Sequence, residues 1–170
     1  MHWAVEELSR VMPPPPDGGD TVDWDALRTD TGWELPADYR DFVATYGMGT
    51  ISDSMGVRTP PFEGYPYEDH LLFRAERPPE GGVLTWASNE AGDDFMWRCA
   101  GEPGQWQVIF RPRNRRQEHV YGVGMAEFLL RLVEGEIRPP LGAELAMPAT
   151  FESWREEQRL LDEGDDLEGF

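Results

Sequence analysis

Apolar positions recur at helical spacing in three places along the chain. Met125, Phe128, Leu129, Leu132 and Val133 form the clearest stripe. Tyr39, Phe42, Val43 and Tyr46 form a second, and Ala4, Leu8, Val11 and Met12 a third. Such i, i+3, i+4, i+7 patterns put one face of a helix against a core. Elsewhere the period changes to two. Phe95, Trp97 and Cys99 alternate with Met96 and Arg98, and Trp106, Val108 and Phe110 alternate with Gln107 and Ile109. These read as half-buried strands joined through the Glu102-Pro103-Gly104 turn.

The punctuation agrees. Gly32 suits the left-handed position that ends a helix, and Pro36 fits the first turn of the next one. Asp38 and Asp41 lie where the helix dipole favours negative charge. Gly47 and Gly49 then stop that helix and turn the chain into a strand at Ile51. Upstream, Asp20 or Thr21 can cap a helix over residues 22–30, with Trp24 and Leu27 turned inward. Residues 13–16 are four prolines, which forbid a helix and run as polyproline II. Residues 52–79 show little periodicity and read as a long loop, with one strand near Leu71, Leu72 and Phe73. Strands follow over 83–87 and 118–123. Gly135 ends the 125–133 helix, and Phe151, Trp154 and Leu161 suit a last helix.

These elements predict a single α+β domain: an antiparallel sheet of about four to six strands, N-terminal helices, and a helix after the last strand. Residues 1–20 read as a helix and proline-rich linker appended to the core, 21–138 as the α+β domain, and 139–170 as a C-terminal helical extension with an acidic tail.

Charge narrows the function. The 170 residues carry 33 acids and 15 bases, a formal charge of −18, and every base is arginine. Without lysine there is no P-loop lysine, Schiff base or kinase β3 lysine. The negative surface opposes binding to nucleic acid or anionic membrane, both of which reward cations. It favours a basic protein partner. The single cysteine, Cys99, fits a reducing cytoplasm and reads as a buried inert thiol. The N-terminal residues lack the pattern of a signal peptide, and no apolar run is long enough to span a membrane.

Chemistry is sparse. His2, His70 and His119 stand far apart and outside any zinc spacing. No Gly-X-Ser-X-Gly or Gly-X-Gly-X-X-Gly occurs; at Gly122-Val123-Gly124, Glu127 stands where the third glycine belongs. The expectation is a protein without catalytic residues, metal or cofactor. Two charge clusters remain. Glu90, Asp93 and Asp94 share a strand-to-strand turn, which reads as a solvated turn, a partner contact or a divalent-ion site. Arg111, Arg113, Arg115 and Arg116 form a basic island, read as a surface loop or a phosphate site.

The run Gly32, Leu35-Pro36, Tyr39, Phe42 and Tyr46-Gly47-Met48-Gly49 resembles the opening signature of the SUKH superfamily, α+β domains named for yeast cell-wall assembly regulators. The resemblance extends over about residues 21–138. It implies a non-catalytic bacterial immunity protein that occludes a cognate toxin, with a nuclease as one candidate. The alternative it implies is a regulatory scaffold without a toxin. The contact residues expected on that basis are Glu63, Tyr65, Tyr67, Glu68, Asp69, Glu90, Asp93 and Asp94, in the long loop and the acidic turn rather than in apolar stripes. The chain is expected to be a monomer or weak dimer.

Overall fold

A computed structural model describes residues 1–65, 80–114 and 117–168. It comprises five α-helices and seven strands. In chain order they are α1 (Trp3–Val11), α2 (Trp24–Thr31), α3 (Ala37–Thr45), β1 (Gly49–Ile51), β2 (Met55–Val57), β3 (Gly82–Asn89), β4 (Asp94–Cys99), β5 (Gln107–Arg111), β6 (His119–Tyr121), α4 (Met125–Val133), β7 (Phe151–Ser153) and α5 (Trp154–Glu168). One antiparallel sheet runs in the order β6-β5-β4-β3-β2-β1-β7. Six strands form a meander; the connections from β3 onward are short, as expected, whereas residues 58–81 separate β2 from β3. The seventh returns from the C-terminal region to pair with β1.

The α+β class stands, with one strand more than anticipated. Neither β2 nor β7 shows alternation in sequence, because each has only three residues. Phe151, expected in a helix, lies in β7. The strand anticipated near Leu71 lies outside the described residues.

The core forms between one sheet face and helices α1, α3 and α4. Trp86, Phe95, Trp97, Val108 and Phe110 project from that face and are fully buried. Phe128 of α4 meets the rings of Trp86, Phe95 and Tyr121 at 6.1, 6.0 and 5.1 Å. Tyr39 of α3 stands edge-on to Trp97 at 4.9 Å and donates its hydroxyl to the Arg58 carbonyl at 2.6 Å. Burial, with the neighbouring Tyr65 adding to it, holds the Tyr39 phenol well above its ordinary pKa. In the central strands the second face is closed as well: Met96 and Ile109, cross-strand partners, are 1% and 0% exposed. The half-buried reading of these strands is thus corrected at the middle of the sheet.

Helix α1 is part of this core, not an appendage. Ala4, Val5, Leu8 and Met12 are fully buried, whereas Val11, expected inward, is 41% exposed. Tyr46, at the C-terminal cap of α3, donates its hydroxyl to the Met12 carbonyl at 2.6 Å, which ties the end of α1 to α3. His2 caps α1, its Nδ1 accepting from the Ala4 N–H at 3.2 Å. The cap of α2 is Asp23, which accepts from Ala26 N–H at 2.9 Å, rather than Asp20 or Thr21. Gly32 ends α2 in the left-handed region as expected.

Asp20 has a larger role. The segment after the prolines docks on the C-terminal end of α3: Gly19 N–H donates to Ala44 O at 3.0 Å and Asp20 N–H to Val43 O at 2.9 Å. These satisfy carbonyls that a helix end leaves without partners. Only glycine fits at 19, since a Cβ there would lie 2.0 Å from the Val43 carbonyl oxygen. The Asp20 carboxylate is then enclosed. It accepts from Met48 N–H at 2.7 Å, Trp154 Nε1 at 3.1 Å and Arg155 at 2.6 Å. One side chain thus joins the linker, the α3–β1 corner and the start of α5.

The two partners of this ion pair are unequal: the Asp20 side chain is 0% exposed and that of Arg155 42%. Asp20→Ala orphans two half-buried N–H donors and should cost roughly 2–3 kcal/mol. Arg155→Ala leaves those donors satisfied and should cost about 1 kcal/mol or less. Urea unfolding of the two variants tests this asymmetry, and equal losses would refute it.

Candidate functional site

The acidic turn between β3 and β4 is built around Asn89. Its side-chain oxygen accepts from the N–H groups of Ala91 at 3.1 Å and Asp93 at 3.0 Å, a local bonding habit that makes asparagine a turn residue. Its amide donates to Asp93 Oδ2 at 2.9 Å. Asp93 also accepts from Gly142 N–H at 2.7 Å and Arg113 N–H at 2.9 Å. It is 1% exposed. Asp93 is therefore a structural knot that gathers three loops, and cannot meet a partner. Burial acts to raise its pKa. The donors Gly142, Asn89 and Arg113 outweigh that and hold it below the ordinary 3.8.

The neighbouring acids diverge from it. Asp94 lies in β4, half-buried, and accepts the Ser88 hydroxyl at 2.8 Å; Ser88 in turn accepts from Arg58 at 2.9 Å. Only Glu90 remains exposed, at a turn that leans on the β1–β2 turn through Glu90 N–H to Ser54 O at 3.2 Å. The three carboxylates expected to act as a cluster thus face three environments. Among the described residues no three His, Cys, Asp or Glu side chains are grouped as they would be to hold a metal.

In the preceding loop, Glu63 is exposed, and its N–H reaches Thr21 O at 3.4 Å. Tyr65 is half-buried, its ring 5.0 Å from Phe62, which itself lies 5.5 Å from Trp154. Glu63 consequently sits beside the root of α5. Tyr67, Glu68, Asp69 and His70 lie outside the described residues. Of the basic island, Arg111 is paired with Glu118 at 2.7 Å, and Arg115 and Arg116 fall outside the described residues. His119 lies half-buried on β6 with its ring 6.0 Å from Phe110, and Cys99 is buried.

A second acidic surface was not visible in sequence. Pro15, Asp17, Asp53, Glu152, Glu156 and Arg159 line an open cleft of about 600 Å³. It forms where the proline segment, the β1–β2 turn, β7 and the first turns of α5 converge. Asp53 and its neighbour Ser52 hold positive φ of 54° and 49°. That conformation is disfavoured for residues other than glycine. Ser52 sustains it by bonds to the 146–150 segment: its hydroxyl donates to Ala146 O at 2.8 Å and its N–H to Thr150 O at 2.8 Å. The cleft is assembled from residues up to 144 positions apart, between Pro15 and Arg159, so no local motif announces it. The unusual Ile51-Ser52-Asp53-Ser54 turn is the one local trace of it.

The cleft and its rim hold carboxylates in excess of guanidinium groups. Arg155 is engaged by Asp20, and Arg159 by Glu156 and Glu163. The Arg159 bond lowers the Glu156 pKa and, with Glu163, raises that of Arg159. Such a surface can accept cationic groups. No described helix is long and apolar enough to cross a membrane. No protein-family model, curated protein or solved structure matches this chain.

Asp93 gives a pH prediction. Its folded pKa lies below its unfolded value, so the stability it contributes is complete above about pH 5 and is lost as pH falls through the folded value. Asp93→Asn should cost roughly 1–3 kcal/mol at pH 7, and the gap from the parent should close below about pH 4. Thermal melts from pH 7 to pH 3 measure both; a gap that persists at low pH contradicts the assignment.

Proposed function

We propose that the chain is a non-catalytic binding module that neutralises a basic protein, a cognate toxin, by covering its working surface. The observation that carries this reading is the fate of the arginines. Arg10 is engaged by Glu6 and Glu7, Arg111 by Glu118, Arg131 by Glu127, Arg155 by Asp20, and Arg159 by Glu156 and Glu163. These cations are consumed within the chain. The surplus that remains on its surface is carboxylate, at exposed positions such as Glu63, Glu90, Glu134, Glu136 and Glu157. Most of the formal charge of −18 therefore lies at the surface, where an external cation meets it.

The resemblance to the SUKH superfamily supports the same reading, since that family is implied to include toxin-blocking proteins. An antiparallel sheet with helices before and after it is the architecture the resemblance implies. A nuclease is the toxin class that fits best by charge, because its substrate cleft must be positive to hold phosphates. Negative potential over such a cleft steers encounter, with association rates of about 10⁸–10⁹ M⁻¹s⁻¹ at low salt.

The test is co-expression with the protein encoded beside it, with growth as the readout. Rescue of growth and a stable complex are the expected outcome. Binding without any growth effect would favour the regulatory scaffold instead, and absence of binding would remove the proposal. Charge reversal at Glu63 and Glu90, both exposed, should slow association about 5–10-fold at low salt and flatten its salt dependence. An unchanged rate would exclude them from the steering field.

A further inference from the structure

Helix α5 stands clear of the body that carries it. Its root is fixed: Trp154 packs on the core, its indole donates to Asp20, and Arg155 lies over the Trp154 ring at 5.0 Å. From Arg155 to Gly164 every residue is exposed. Two stripes run along it. Glu156, Arg159 and Glu163, three and four apart, form an internal ion-pair ladder beside the acidic cleft. Glu157, Leu160, Leu161 and Gly164, also at helical spacing, lie on a different face. Leu160 and Leu161 are 47% and 60% exposed. A Cβ on Gly164 would meet nothing within 4 Å. Nothing described covers this stripe, so two leucines present apolar surface to water at a site where its burial would favour association.

The charge decides what covers it. The helix carries seven acids and two arginines, and both arginines are already engaged by acids of the same chain. A second copy would bring the same negative helix against its like, inside a pair of molecules each at −18. An anionic membrane repels it for the same reason. The complement is a basic polypeptide whose arginines or lysines flank an apolar groove, the usual way a groove receives an amphipathic helix. Glu63 and the cleft acids at the root of α5 extend the negative surface around the same end of the molecule.

We propose that the exposed stripe of α5, centred on Leu160 and Leu161, is the element that docks into the basic partner. The inference rests on the reading of the chain as a binder of basic proteins and adds the contact surface to it. Surface charges elsewhere set the rate of encounter, whereas the buried leucines set the rate of escape.

The test uses the full chain, ¹⁵N-labelled, titrated at low salt with two synthetic basic peptides. One places leucines at helical spacing among arginines; the other has the same composition scrambled. The expected result is amide shift changes concentrated between residues 155 and 164, with the patterned peptide binding more tightly than the scrambled one. Leu160→Ser with Leu161→Ser keeps the charge and should weaken the patterned peptide at least tenfold. Glu63→Gln with Glu90→Gln should weaken it less than about threefold. Since both leucines are exposed, an unchanged thermal melt verifies that the double variant is folded. Shift changes elsewhere, with the leucine variant binding as the parent does, would overturn α5 as the docking element and leave the basic-partner reading intact. No binding to either peptide, together with no complex in co-expression, would overturn both. A dimer in sedimentation equilibrium that the leucine variant dissolves would assign the stripe to a second copy and overturn the proposal.

Discussion

The enclosed carboxylate of Asp20 is the constraint from which much of the rest follows. A carboxylate held away from water needs several donors, because an unpaired buried charge is far costlier than an unpaired neutral group. Here the donors come from the α3–β1 corner, the indole of Trp154 and the guanidinium of Arg155. Satisfying one side chain therefore brings together segments that are 28 and more than 130 residues apart. It docks the N-terminal segment on α3, fixes where β7 gives way to α5, and sets the direction in which α5 leaves the body. The cleft beside α5 and the exposed helix face are consequences of that anchorage.

Three buried aspartates divide this work. Asp20 holds the helix corner and Asp93 the far loops. Asp38, in the first turn of α3, accepts from Ala126 N–H at 3.0 Å and so supplies the N-terminal cap that Gly124 cannot provide to α4. Glycine at 124 leaves room for this contact, since a Cβ there would lie 2.7 Å from the Asp38 carboxylate and displace it. In each case at least one backbone N–H from a distant segment donates to the buried acid. Most of the other acids stay at the surface, where the chain's large negative charge is expressed. An acidic composition thus serves two unlike ends, internal fastening and an external field, and burial is what separates them.

Much of the fold was legible because its larger elements repeat a pattern. The stripe through Phe128 and Leu132 could pack only as a helix, and the alternation through Trp97 and Val108 could pair only as neighbouring strands. Gly32 closed α2 as its position predicted. The two missed strands share one cause. Met55–Val57 and Phe151–Ser153 are too short to show a period, and both become strands only because β1 and β3 present open edges for them. The four prolines made the first helix look detachable, yet the Gly18–Asp20 turn folds it back against α3. Within the candidate site, Glu63 and Glu90 were correctly placed at the surface, while Asp93 was not. The Asn89-to-Asp93 spacing is that of a solvated turn, and only the arrival of Gly142 and Arg113 closes it off.

Local spacing and composition by themselves determined that this is an α+β chain with a meandering antiparallel sheet, a strongly negative charge and no lysine chemistry. Those properties depend on residues a few positions apart or on simple sums, so the linear order contains them. The tertiary structure alone decided which acids are buried and which are free, that the C-terminal region closes the sheet edge, and that α5 carries two leucines with nothing over them. Those outcomes depend on contacts across 20 to 140 residues, where the energy of enclosing one polar group is set by donors that no local pattern can name.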